Sequence, residues 1–342
     1  MLTVWFIVFA ASIWVLVKSA DYFTDYAEKL GKIFNLPNFI VGVMIVAVGT
    51  SLPEFATSIV GAYRGEAEFL SGNVLGTVIV NILLGLGVAV LFVRKKAVFD
   101  WDIVSNDLPF FAAAIFLVII TLSDGKFTFV EALIFLAGYI VYIFYAYHIQ
   151  KSIKEKAKEK FEKQQKEEIK SDIAEVSSGK DHGHHERDAA KRKKKVLKIV
   201  FFLIISLTIV AVSSKFAVEA VINIAGMLGL ATPVVAASLV ALGTSLPEII
   251  VAISAARRGN FDMVIGDIIG SNIFDLFVIF GAVGLFAEIT ISRDMFIILG
   301  SFLVGSFFLM WLAFIDKKMT KTEAVMFILI YILFVGKLFN IF

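Results

Sequence analysis

Charge-poor apolar runs of about 20 residues, the length an α-helix needs to cross a bilayer, recur along this chain. They fall near 2–20, 37–62, 69–93, 106–122 and 127–147, then near 196–215, 231–256, 262–286, 295–315 and 323–341. Between the two sets of five lies the stretch 148–195. It holds 15 Lys/Arg and 10 Asp/Glu, against 37 charges in the other 294 residues. The pattern predicts an all-α polytopic membrane protein: ten spans interrupted once by a water-facing insert.

Composition strengthens that picture. Hydrophobic residues make up 59% of the chain, above the 45–50% or so of soluble domains. Cysteine is absent, and His148, His182, His184 and His185 all lie in or beside the insert. This leaves no disulfide framework, no thiolate metal site and no imidazole inside the membrane. The run Leu2–Val17 has no basic region before it and reads as a retained span rather than a cleaved signal.

Lys/Arg asymmetry sets the orientation. With the insert in the cytoplasm, inside-facing segments gather 27 basic residues, and only Arg64, Lys126, Lys215 and Arg293 face outward. Ten spans with both termini extracellular satisfy that alternation.

The two halves repeat at a constant offset of 194 residues. Ala47–Val48–Gly49–Thr50–Ser51–Leu52–Pro53–Glu54 matches Ala241–Leu242–Gly243–Thr244–Ser245–Leu246–Pro247–Glu248, and the register holds without a gap. Across 47–87, 15 of 41 positions are identical, which marks duplication rather than shared hydrophobicity. Each half has an odd number of spans, so the second copy enters the membrane from the opposite side. That is the inverted-repeat plan of many secondary transporters. The expected units are a first five-helix repeat at 1–147, a charged cytoplasmic loop at 148–195 and a second repeat at 196–342.

Charges at mid-bilayer cost several kcal/mol, so each one demands a reason. Glu54, Glu248 and Asp275 fall well inside their spans, as does Asn81, the repeat mate of Asp275. The spacing from glutamate to its partner is 27 residues in both halves (54 to 81, 248 to 275). Pro53 and Pro247 directly precede the glutamates and free main-chain carbonyls about one turn earlier, at Ala47–Thr50 and Ala241–Thr244. Glycines at 72, 76, 266 and 270 would let helix backbones approach closely.

The convergent set is three carboxylates, one amide, carbonyls and the hydroxyls of Thr50, Ser51, Thr77, Thr244, Ser245 and Ser271. Every candidate ligand is oxygen. Hard cations such as Ca²⁺ take six to eight oxygens, Na⁺ accepts neutral ones, and soft metals lack ligands here. Three carboxylates balance three monovalent cations, or one divalent cation and one monovalent. The arithmetic therefore suggests two kinds of cation competing for one place.

Other polar residues read more plainly. Asp267 is taken as a helix-start or solvated acid, Glu131 as structural, and the histidines at 182–185 as solvated. Residues 150–172 suit an exposed helix, and Lys191–Lys195 suits anionic headgroups. No His-Glu-x-x-His or Gly-x-x-x-x-Gly-Lys pattern exists, Ser51 and Ser245 lack a histidine, and no Gly precedes Gly266–Asp267 as Gly-x-Gly-Asp proteases require. The sequence offers no enzyme chemistry. A cation channel stays as the alternative from another class, although inverted halves with acids at the midplane suit a closed, alternating site better.

These residues carry a resemblance. Gly49–Thr50–Ser51–Leu52–Pro53–Glu54 with Gly72–Asn73–Val74–Leu75–Gly76, and Gly243–Thr244–Ser245–Leu246–Pro247–Glu248 with Gly266–Asp267–Ile268–Ile269–Gly270–Ser271–Asn272–Ile273–Phe274–Asp275, resemble the two α-repeats of the cation/Ca²⁺ exchanger superfamily. The chain looks most like its prokaryotic sodium/calcium exchangers. The resemblance implies a Na⁺/Ca²⁺ antiporter of the prokaryotic cell membrane, with both ions as transported substrates and no organic cofactor, nucleic acid or obligate protein partner. It implies that Glu54 and Glu248 bind Ca²⁺ and also hold Na⁺, with Asn81 and Asp275 beside the central site. Thr50, Ser51, Thr77, Thr244, Ser245 and Ser271 would supply oxygens, and the carbonyls of Ala47 and Ala241 would complete flanking Na⁺ sites. The family's first and sixth helices slide across the other eight. Two departures stand out: Thr77 replaces a serine, and Val78 an asparagine, in the first Gly-Ser-Asn-Ile-x-Asn. They keep a proton-coupled or K⁺-involving relative in view.

Overall fold

The computed structural model describes residues 2–63, 67–93, 97–100, 102–146, 185–227 and 243–338. Ten helices of 12 residues or more occupy them: α1 (Leu2–Phe34), α2 (Asn38–Tyr63), α3 (Leu70–Phe92), α4 (Leu108–Thr121), α5 (Phe129–Ala146), α6 (His185–Met227), α7 (Leu246–Arg257), α8 (Phe261–Gly284), α9 (Arg293–Phe314) and α10 (Lys321–Leu338). Seven of them, among the described residues, are long and apolar enough to cross a membrane. The first part of the seventh predicted span, 231–242, lies outside the described residues, as does most of the insert.

Burial sorts the helices into layers. α3 and α8 are almost wholly enclosed by protein, with 83% and 94% of their apolar windows buried, whereas α1, α5 and α6 present most of theirs outward. The enclosed pair are the helices that carry Asn81 and Asp275. α1 and α6 lie along one another, with Tyr26 stacked on Phe202 at 5.4 Å between ring centres.

Four two-residue strands display the inversion. β1 (Ala97–Val98) follows α3 and pairs antiparallel with β4 (Lys318–Met319), which follows α9. β2 (Lys126–Phe127) follows α4 and pairs with β3 (Ile289–Thr290), which follows α8. α4 runs from the β1 end of the molecule to the β2 end. α3 therefore ends at one face while its repeat mate α8 ends at the other. At the β2–β3 ribbon Lys126 meets Glu288 at 2.9 Å, and hydrogen bonding and charge from Glu288 raise the lysine's pKa. Repeat-related capping boxes open α5 and α10: Glu131 accepts from Thr128, and Glu323 from Thr320. Glu131 is thus a helix cap.

Two spans differ from the hydropathy reading. α1 continues to Phe34 instead of stopping near residue 20, and α6 starts at His185, inside the charged insert, and reaches Met227. The polar residues that close a hydropathy window do not end a helix when they find partners. On α1, Asp21 accepts a hydrogen bond from Ser254 at 2.7 Å, Asp25 pairs with Arg258 at 3.4 Å, and Glu28 accepts from Asn260. A polar seam thus ties the end of α1 to the end of α7.

Close packing at the centre depends on glycine, though not at all four expected positions. A Cβ on Gly266 would strike the Phe39 carbonyl oxygen, and one on Gly270 would lie 2.8 Å from the Val43 Cα. Gly42 completes the contact, since its added Cβ would fall 2.5 Å from the Met263 carbonyl oxygen. α2 and α8, from opposite halves, thus touch backbone to backbone. Gly72 meets only the side chain of Met295, and Gly76 has no described neighbour within 4 Å. The repeat mates of Phe39 and Val43, their expected partners, fall at 233 and 237, outside the described residues.

Gly266→Ala is expected to destabilise the protein by about 1–3 kcal/mol through forced backbone separation. Gly305→Ala, facing open space, should stay within about 0.5 kcal/mol. Thermal unfolding of the two variants in detergent measures the difference.

Candidate cation site

The chain bends at two equivalent elbows. In α2 the helix breaks at Ser51 (φ −78°, ψ −2°) and resumes at Leu52. In the second half Ser245 has φ −79° and ψ −2° before α7 begins at Leu246. Pro53 and Pro247 follow in the first turn of the resumed helix, where a missing N–H costs nothing. The same turn carries Glu54 and Glu248, where unpaired N–H groups and the helix dipole favour negative charge.

A second pair of distortions mirrors the first. A wide π-helical turn begins at Asn81 in α3 and another at Asp275 in α8. Such turns shift the register of a helix face and free main-chain groups. The four residues singled out by depth and spacing thus each sit at a helix irregularity; a further wide turn, Gly42–Val46, lies in α2 before the first elbow.

Glu54, Glu248, Asp275 and Asn81 are each at most 3% exposed. Glu54 faces Glu248 and Thr244, within electrostatic reach of Asp275, and Asp275 faces Ser51. The facing is close, but no carboxylate oxygen of the three acids reaches hydrogen-bonding geometry with any described residue. The Ser51 and Thr77 hydroxyls and the Asn81 amide oxygen are equally without described partners. Buried polar atoms are nearly always satisfied, so this concentration is the chemical signature of the site. Among the described residues no three acids close into one compact metal cluster.

The remaining candidates divide. Ser245, Ser271 and Ala47 are buried, Thr244 is half-buried, and Ala241 lies outside the described residues. Thr50 and Ser271 donate to carbonyls of their own helices, Val46 at 3.1 Å and Ile268 at 3.2 Å, as membrane hydroxyls often do.

Asp267 departs from expectation. It is neither solvated nor at a helix start. It is 1% exposed, in the middle of α8, and accepts from Thr50 at 3.5 Å. Asn73, its repeat mate, is buried with both amide atoms lacking described partners. Asn272 accepts from the Asn81 amide at 3.2 Å and so joins the halves. One signal points to Asp267 and Asn73: positions 267, 271 and 275 recur every four residues on one helix face, as do 73, 77 and 81.

The chain is similar to known proteins along almost its whole length. The family model for sodium/calcium exchanger protein matches residues 4–148 and 198–339. The chain belongs to the sodium/calcium exchanger family. It is 30% identical to the sodium/calcium exchanger MaX1 of Methanosarcina acetivorans across the whole of both chains. It is 28% identical to the uncharacterized membrane protein MJ0091 of Methanocaldococcus jannaschii, over 95% of this chain and 94% of that one. The solved structure of the sodium-calcium exchanger NCX_Mj soaked with 10 mM Na⁺ and zero Ca²⁺ superposes with TM-score 0.76 at 26% identity, covering 98% and 99% of the two chains. This member of the exchanger family is an integral membrane protein of ten helices in two inverted halves. The family match leaves out 149–197, which is most of the charged insert.

Asn272→Ala should strand the Asn81 amide and cost about 1–3 kcal/mol. A lowered melting temperature in detergent is the expected result.

Proposed function

We propose that this protein is a secondary antiporter that exchanges Na⁺ for Ca²⁺ by alternating access, with the buried acids binding the two ions in competition. The observation that carries the reading is the approach of Glu54 and Glu248 from opposite halves, inside a buried set made wholly of oxygen. Ca²⁺ takes the carboxylates together with neutral oxygens. Na⁺ uses the same carboxylates singly, with Thr50, Ser51, Thr77, Thr244, Ser245, Ser271 and the carbonyls of Ala47 and Ala241. Asn81 and Asp275 flank the central position. The names of MaX1 and NCX_Mj support the choice of ions.

The inverted halves supply the switch. Two copies of one unit in opposite orientations favour opposite openings at similar energy. α1 and α6, the pair exposed on one side of the bundle, are the elements we assign to the sliding motion. Both termini face the extracellular side, and the 148–195 loop is cytoplasmic and dispensable for exchange. Movement of Na⁺ down its gradient exports Ca²⁺, and the exchange is electrogenic.

Purified protein in liposomes tests the coupling. Ca²⁺ uptake should follow an outward Na⁺ gradient at fixed pH and not an outward H⁺ gradient without Na⁺. Uptake driven by H⁺ alone would make this a proton-coupled relative, and flux independent of any counter-ion would make it a channel. Glu54→Gln and Glu248→Gln should each abolish Ca²⁺ flux while the protein still inserts. Near-normal flux in either would remove the core of the reading. Deleting 152–184, which spares α6, should leave exchange unchanged.

A further inference from the structure

Asp21, Asp25 and Glu28 recur at helical spacing and form one polar stripe along the later turns of α1, beside the wholly buried Phe23 and Ala27. Each meets a different residue of the second half. Ser254 donates to Oδ1 of Asp21 at 2.7 Å, and the Arg258 guanidinium reaches both the Asp21 carbonyl oxygen and Oδ1 of Asp25. Asn260 donates to Glu28 and accepts from Asn38, the first residue of α2, at 3.2 Å. Asp25 also pairs with Lys29 of its own helix.

The seam lies at the face of the β1–β4 ribbon. Just after β1, Phe99 packs on Phe261 and the Asp100 N–H donates to Asp262, two residues beyond Asn260. Its anchors adjoin the part of the bundle where α2 and α8 touch backbone to backbone. Within the same stretch of α1, Phe23 bears on Gly49: a Cβ there would fall 3.2 Å from the Phe23 Cζ. Gly49 precedes Thr50, so the position of α1 acts on the chain beside the cation site.

We infer that the seam is a latch, which holds α1 against α7 at this face and parts whenever the cation site opens there. The inference rests on the sliding of α1 assigned above. Apolar side chains can slide over one another with little loss, whereas hydrogen bonds weaken steeply away from one distance and angle. Three such links on one stripe therefore fix α1 at a single position. The other half lacks a full counterpart. The repeat mates of the three pairs are Lys215 and Val60, Glu219 and Arg64, and Ile222 and Glu66. Of these, Glu219 with Arg64 alone keeps the chemistry of a link, so the latch weighs on one opening more than on the other.

The chain has no native cysteine, so introduced thiols report alone. Asp21→Cys with Ser254→Cys, bridged by a short cleavable bis-methanethiosulfonate, should stop Na⁺-driven Ca²⁺ flux in liposomes, and a reductant should restore it. Full flux with the bridge in place overturns the latch, as does failure of the two reactive thiols to bridge. Ala27→Cys reads release from the seam. In detergent its maleimide labelling should run about fivefold faster when Ser254→Ala or Arg258→Gln is added, the scale of one lost hydrogen bond. Ala132→Cys, buried near the β2 end of α5, should stay slow in every background. Unchanged labelling at position 27, or an equal rise at 27 and 132, overturns the latch. If wild type lacks Na⁺-driven flux, the exchanger reading falls and the labelling still decides the latch.

Discussion

A carboxylate inside a bundle of apolar helices has lost the water that stabilises its charge, and among the described residues no protein cation replaces it. That constraint organises the centre of the molecule. Glu54 and Glu248 sit in the first turn of resumed helices, where the backbone itself supplies favourable potential. The elbows before them exist because proline follows serine and a helix cannot run through unbroken. α3 and α8, which carry the partner polar residues, are the two most enclosed helices. An acid facing lipid would have no such compensation.

Backbone contact between α2 and α8 gives the site its dimensions. Gly42, Gly266 and Gly270 remove the side chains that would hold the helices apart. Polar groups from opposite halves then face each other: the Thr50 hydroxyl toward Asp267 across that interface, and the Asn81 amide nitrogen toward the Asn272 oxygen between α3 and α8.

The duplication is imperfect in ways that matter physically. Asn73 and Asp267, Asn81 and Asp275, and Val78 and Asn272 are mates of different chemistry. The second half therefore holds both unmatched acids. One link of the polar seam from α1 to α7 is likewise unmatched, because Lys215 and Val60 stand where symmetry would put equivalents of Asp21 and Ser254. A perfect inverted pair would weigh its two openings equally. In the proposed alternating access, these differences would give the two openings unequal energies.

The ten-span plan, the inversion and the burial of Glu54, Glu248, Asp275 and Asn81 were legible in the sequence. Bilayer thickness and the cost of buried charge act on composition directly, so a linear pattern carries them. The extension of α1 to Phe34 and the start of α6 at His185 were not legible, since Asp21, Asp25 and Glu28 look like a span's end until Ser254, Arg258 and Asn260 arrive from α7. The burial of Asp267 had the same obstacle. Nothing along the chain says that Thr50, 217 residues away, will meet it. Depth and periodicity are properties of one helix, and the sequence by itself determined those. Which oxygens face one another depends on how closely two helices pack and how far each is turned, and only the tertiary structure decided that.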